Sequence, residues 1–120
     1  MGDPVTPAEI AAYALQFPQV TEENPFGPDV DVYKVEGKVF AILAPNAEPP
    51  TVSLKCEPNL AMHLRQQYNG VTPGYHLNKK HWNTVRLDGE VPRDQVEEMI
   101  EHSYERVVAG LPKMVRLRLR

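Results

Sequence analysis

At 120 residues and 13.6 kDa the chain has the size of one domain, because two independent cores would hold about 60 residues each, near the lower limit for folding alone. Its 42% hydrophobic and 24% charged content, with 12 Pro and 7 Gly scattered along it, excludes a disordered chain; no apolar run approaches the roughly 18 residues that span a bilayer, and the single Cys56 excludes an intramolecular disulfide. The net charge of −3 argues mildly against a nucleic-acid binder, yet residues 1–60 hold nine acids and three bases while 61–120 hold seven acids and ten bases, so an anionic partner should meet the second half.

Thr6-Pro7-Ala8-Glu9 combines a capping Thr, a Pro suited to the first helical turn and a Glu three residues after the cap, which predicts a helix start. Ile10, Tyr13, Ala14 and Phe17 then recur at helical spacing until Pro18 stops the pattern. A short extended stretch over 20–23 leads into turn chemistry at Asn24-Pro25-Phe26-Gly27-Pro28-Asp29.

From Val30 the period becomes two, and residues 30–35, a Glu36-Gly37 turn and residues 38–44 predict a β-hairpin, followed by a third strand over 51–56. Val39-Phe40-Ala41-Ile42-Leu43 is apolar at every position, which predicts a central strand covered on both faces. In the next strand Val52, Leu54 and Cys56 share one face and Thr51, Ser53 and Lys55 the other, so Lys55 is expected to point away from the core.

Leu60, Ala61, Leu64 and Tyr68 predict a short helix after Pro58, and a polar segment over 75–80 approaches a strand over 82–87. If Val85 and Leu87 face the core, Trp82, Thr84 and Arg86 face outward with Lys55, provided the two strands share a sheet. After an Asp88-Gly89 turn, the strongest helical pattern runs over 92–109, with Val96, Met99, Ile100, Ser103, Tyr104, Val107 and Val108 on its core face and Glu97, Glu98, Glu101, Glu105 and Arg106 solvated. The order predicts an α+β fold: an antiparallel β-sheet with N-terminal, middle and C-terminal helices packed on it. One domain is expected over 1–112, with a basic tail over 113–120 that is either disordered or an edge strand.

Phe26-Gly27-Pro28-Asp29, Val35-Glu36-Gly37-Lys38, Val52-Ser53-Leu54-Lys55-Cys56 and above all Thr72-Pro73-Gly74-Tyr75-His76-Leu77-Asn78-Lys79-Lys80-His81-Trp82-Asn83-Thr84-Val85 resemble the MmcQ/YjbR family, over nearly the whole chain. The resemblance implies a frataxin-like, double-winged α+β fold and, by analogy of shape, DNA binding. It supplies no catalytic residues.

The segment over 75–86 is the most concentrated basic-aromatic patch in the chain. Lys79, Lys80 and Arg86, with Lys55, can neutralise phosphates; Asn78 and Asn83 can hydrogen-bond backbone or base edges; Trp82 or Tyr75 can stack on a base, and His81 lies among them. The competing reading is structural: a solvated lysine loop, Asn78 bonding within the loop, and Trp82 as a lid over the sheet. His63, His76, His81 and His102 with Cys56 are the right atoms for zinc, but no Cys-x-x-Cys or His-Glu-x-x-His spacing occurs, so no metal and no cofactor is expected. Cys56 is expected inward, where a thiol acts as a small hydrophobe, and Ser103 and His102 have no evident acid partner, so the chain reads as a non-enzyme. The expectation is a cytoplasmic, monomeric protein binding DNA weakly and salt-sensitively through Lys55, Asn78, Lys79, Lys80, His81, Trp82 and Arg86. The alternative is an adaptor that offers its half-exposed sheet to a protein partner.

Overall fold

The computed structural model describes residues 4–74 and 77–119, so Tyr75 and His76 of the basic-aromatic segment lie outside the described residues. Helix α1 (Pro7–Leu15) starts as its sequence dictates: the Thr6 hydroxyl accepts from the Glu9 N–H at 3.2 Å, and the Glu9 carboxylate accepts from the Thr6 N–H at 2.9 Å. Strand β1 (Val20–Glu23) follows, then β2 (Asp31–Val35), β3 (Lys38–Ala44) and β4 (Thr51–Lys55). Glu36 and Gly37 carry φ values of 49° and 78°, and two positive values make the tight reversal that matches the twist of a β2–β3 hairpin.

Helix α2 (Pro58–Gln67) is capped by the Glu57 carboxylate, which accepts from the Asn59 and Leu60 N–H groups at 3.0 and 2.9 Å. Then come β5 (Val71–Pro73), β6 (Trp82–Arg86), the long helix α3 (Arg93–Ala109) and a short helix α4 (Lys113–Leu117). Strand β5 has no counterpart in the sequence reading, since three residues ending in Pro are too few to show a period. The basic C-terminal segment is neither strand nor tail between 113 and 117: it is helical, with Arg118 paired to Glu36 at 3.2 Å. Arg116 and Arg118 alternate with Val115 and Leu117, a two-residue pattern that a single helical turn also accommodates.

All strand pairs are antiparallel, in the order β1-β2-β3-β4-β6-β5. Helices α1, α2 and α3 pack on one face, where Ile10, Ala61, Leu64, Val96, Ile100 and Tyr104 join the inward residues of the strands in one core. Val52, Leu54 and Cys56 of the β4 segment and Val85 and Leu87 of the β6 segment belong to that core, as the alternation requires. No helix among the described residues is long and apolar enough to cross a membrane.

Strand β3 is interior to the sheet, but helices cover only one of its faces. The two-sided cover expected from its apolar run is thereby corrected as far as helices go, and a bulge accounts for part of the run. Tyr33 pairs with Ala41 and Lys34 with Val39, leaving Phe40 as the extra residue. Phe40, Ala41 and Leu43 are all buried, whereas Val39 and Ile42 are only half-buried. The Phe40 ring meets Tyr104 of α3 edge-on, with centroids 5.4 Å apart, and Tyr104 in turn stacks on Phe17 at 4.9 Å.

Candidate nucleic-acid interface

The face of the sheet that bears no helix is built by strict cross-strand pairing. On β4 and β6, Thr51 lies opposite Arg86, Ser53 opposite Thr84 and Lys55 opposite Trp82. The parity argument therefore places Lys55, Trp82 and Arg86 together on the helix-free side. The central pair is small: the Ser53 and Thr84 hydroxyls hydrogen-bond at 2.8 Å and are nearly covered by their neighbours. It is flanked by Thr51–Arg86, with one long side chain, and Lys55–Trp82, with two, and Ile42 of β3 adjoins Ser53.

The cations on and beside this face are not equivalent. Arg86 Nε lies 3.1 Å from an Asp88 carboxylate oxygen, so its charge is opposed; the N–H is not aimed at that oxygen, and the contact is an ion pair without a hydrogen bond. Lys34 is likewise paired, to Glu23 at 3.1 Å. Lys79 donates to the Gly74 carbonyl at 3.1 Å, a neutral partner that fixes the ammonium without cancelling it. Lys80 is exposed, and its ammonium makes no hydrogen bond or ion pair with another described residue.

The loop over 77–81 that carries these lysines is held from behind by Arg65 of α2. Its Nε donates to the Asn83 side-chain oxygen at 2.6 Å, and its Nη2 donates to the Lys79 carbonyl and, at 3.3 Å, to the Trp82 carbonyl. Within the loop, the Asn78 carboxamide oxygen accepts from the Lys80 N–H at 2.9 Å, and the His81 N–H donates to the Asn78 carbonyl at 3.2 Å. The His81 carbonyl accepts from the Cys56 N–H at 2.7 Å, continuing the β4–β6 ladder. Gly74 fits because a Cβ there would stand 2.7 Å from the Trp82 Cβ, while its N–H donates to the Trp82 carbonyl at 2.8 Å.

Two residues suited by type to base recognition have other tasks. Asn78 closes its own turn. Asn83 is buried on the helix side and donates to the Ala61 carbonyl at 3.3 Å, so its carboxamide is turned away from the helix-free face. Arg65 was not singled out from the sequence, because an arginine on the polar side of a short helix has no local signal of a partner so far along the chain.

The helix-bearing side holds the remaining reactive groups. Burial pushes the Cys56 thiol up to about 11, with the Glu57 charge adding to the rise. The His102 ring accepts from the Glu57 N–H through Nε2 at 3.2 Å, and burial, with Arg106 nearby, holds its pKa below the usual histidine value. Ser103 bonds to backbone on two strands. Among the described residues, no group of three or more His, Cys, Asp or Glu side chains is placed to hold a metal ion.

Comparison with known proteins agrees with this architecture. The chain is 38% identical over 112 residues to YjbR of Escherichia coli strain K12, covering 93% of this chain and 95% of that one, and 37% identical over 107 residues to YbdF of Escherichia coli O157:H7, covering 89% and 88%. The crystal structure of Deinococcus radiodurans protein DR2400, with domain DUF419, superposes with a TM-score of 0.89 at 35% identity, over 95% of this chain and 87% of that one. A Pseudomonas syringae protein of solved structure superposes with a TM-score of 0.73 at 27% identity, over 84% and 97%. The YjbR family model matches residues 15–106, which takes in the helix-free face and the Arg65-held loop, and the chain belongs to the YjbR family.

Proposed function

We propose that the helix-free face of the sheet binds nucleic acid, weakly and without strong sequence preference, and that single strands are favoured over duplex. The observation that carries this reading is the Lys55–Trp82 cross-strand pair, set beside the Lys79–Lys80 loop on a face that no helix covers. An aromatic ring next to a cation is the pairing that single strands require, the ring stacking on a base while the ammonium meets the adjoining phosphate. A flat sheet presents them to an unpaired strand more readily than to a groove. The protein acts as a binder and not as an enzyme in this reading, in keeping with a Cys56 thiol held protonated by burial.

The charge inventory sets the strength. Lys55, Lys79 and Lys80 are free of acidic partners among the described residues, whereas Arg86 is opposed by Asp88. Three phosphate contacts give a slope of log K against log salt of about −2 on single strands. The net charge of −3 repels the remaining phosphates, so the dissociation constant falls in the non-specific range, roughly 10⁻⁴–10⁻⁶ M.

Fluorescence anisotropy with labelled single- and double-stranded DNA at two salt concentrations tests the reading. Binding that weakens with salt and is lost on charge reversal of Lys79 and Lys80 supports it. Arg116 and Arg118 of the C-terminal segment serve as the control: if their substitution removes binding while the Lys79/Lys80 variant retains it, the sheet face is not the site. A salt-tolerant protein partner on the same face would instead favour an adaptor.

A further inference from the structure

On the opposite side of the sheet, α2 and α3 diverge over β4 and β6 and leave a cavity of about 240 Å³. Its wall is apolar: Leu54 and Val85 from the strands, Leu64 from α2 and Met99 from α3, with Leu60 at the mouth. Gln95, Glu98 and His102 line the cavity from one stripe of α3 at helical spacing, while the Asn83 carboxamide in its floor is already engaged by Arg65 and the Ala61 carbonyl. Lys55 borders the cavity through its backbone, since the strand register turns its side chain to the other face. Glu98 is therefore the charge at the rim. His102 accepts through Nε2, which places its proton on Nδ1 and leaves that N–H as a donor.

We propose that this cavity is a binding site for a small planar bicyclic aromatic molecule, neutral or amine-bearing, whose ring lies against the apolar wall and whose N–H edge faces Gln95 and Glu98. Size and chemistry both point there. An engineered apolar cavity of about 150 Å³ accepts benzene, so the larger space here takes a second fused ring. With the Asn83 carboxamide already partnered, the polar stripe of α3 rewards a ligand with one apolar and one hydrogen-bonding edge, and the Glu98 carboxylate repels an anionic one. This site is separate from the nucleic-acid face, on which it does not depend.

The test uses three probes of one shape and different charge, indole, tryptamine and indole-3-acetate, titrated into the ¹⁵N-labelled full chain and followed by amide chemical shifts. Saturable shifts are expected at Leu54, Cys56, Val85 and Met99 with indole and tryptamine, and about tenfold weaker binding of indole-3-acetate, equivalent to about 1.4 kcal/mol. Glu98→Lys should reverse the order of the two charged probes, and Leu60→Trp, which fills the mouth, should weaken all three. Shifts confined to residues elsewhere, no saturation with any probe, or a charge order that Glu98→Lys leaves unchanged would overturn the proposal. Should Leu60→Trp fail to fold, the Glu98→Lys reversal decides alone.

Discussion

The Ser103 hydroxyl of α3 donates to the Phe40 carbonyl at 2.5 Å while accepting from the Lys55 N–H at 2.8 Å. It stands where the β3–β4 ladder ends beyond Ala41 and Leu54, next to the bulge that makes Phe40 the extra residue. A helix hydroxyl thus supplies hydrogen bonds to two backbone groups just past the end of that ladder. Ser103→Ala should cost about 1–3 kcal/mol, the usual penalty for stranding buried backbone polar groups. Urea unfolding beside the exposed-site control Glu101→Ala, expected within about 0.5 kcal/mol of the parent, checks this.

The core is set by the inner face of α3. Ile100 is fully buried, and Tyr104 joins Phe17, Phe40 and, through its hydroxyl, the Pro18 carbonyl at 2.8 Å. Ile100→Ala should destabilise by about 2–5 kcal/mol, whereas Glu101→Ala should leave the melting temperature nearly unchanged. Equal melting temperatures would mean that the helix is turned the other way.

Arg65 stands on α2, on the helix-bearing side, yet it fixes the loop that leads to the helix-free face. Arg65→Met keeps the aliphatic stem and removes three hydrogen bonds, two of them to the Lys79 and Trp82 carbonyls. Hydrogen exchange at Lys80 and His81 should accelerate, and nucleic-acid affinity should fall several-fold while the far strands β1 and β2 keep their protection. Unchanged exchange at those amides would show that the loop holds itself.

Stability should fall on mild acidification through His102. Its folded pKa is held below the usual 6.5 by burial and by Arg106, while Glu105 and Glu57 pull the other way. The unfolded chain therefore takes the proton first as pH drops below about 6.5, so stability is greatest above that value and declines towards the lower folded pKa. Protonation also removes the Nε2 acceptor of the Glu57 N–H at the start of α2. His102→Gln should flatten the decline between pH 7 and 5 in melting experiments.

Local chemistry was readable wherever a residue's neighbours in sequence are its neighbours in space. The Thr6–Glu9 capping box, the Glu36-Gly37 turn and the alternation in β4 and β6 are of that kind, and alternation alone put Lys55, Trp82 and Arg86 on one face once β4 and β6 were paired. What escaped depends on distant partners. The Phe40 bulge puts two successive apolar residues, Phe40 and Ala41, into the core, and Asn83, suited by type to base edges, is bound by Arg65 from α2.

Trp82 is the chain's one tryptophan, so its emission reports on the proposed interface and nowhere else. Titration with an unlabelled single-stranded oligonucleotide at low salt should quench that emission saturably, and the quenching should reverse as salt is raised. Lys55→Glu, directly across the ladder, should weaken the effect strongly. Oligonucleotide binding detected by anisotropy with no change in Trp82 emission, or no binding at low salt, would contradict the assignment of the helix-free face to nucleic acid.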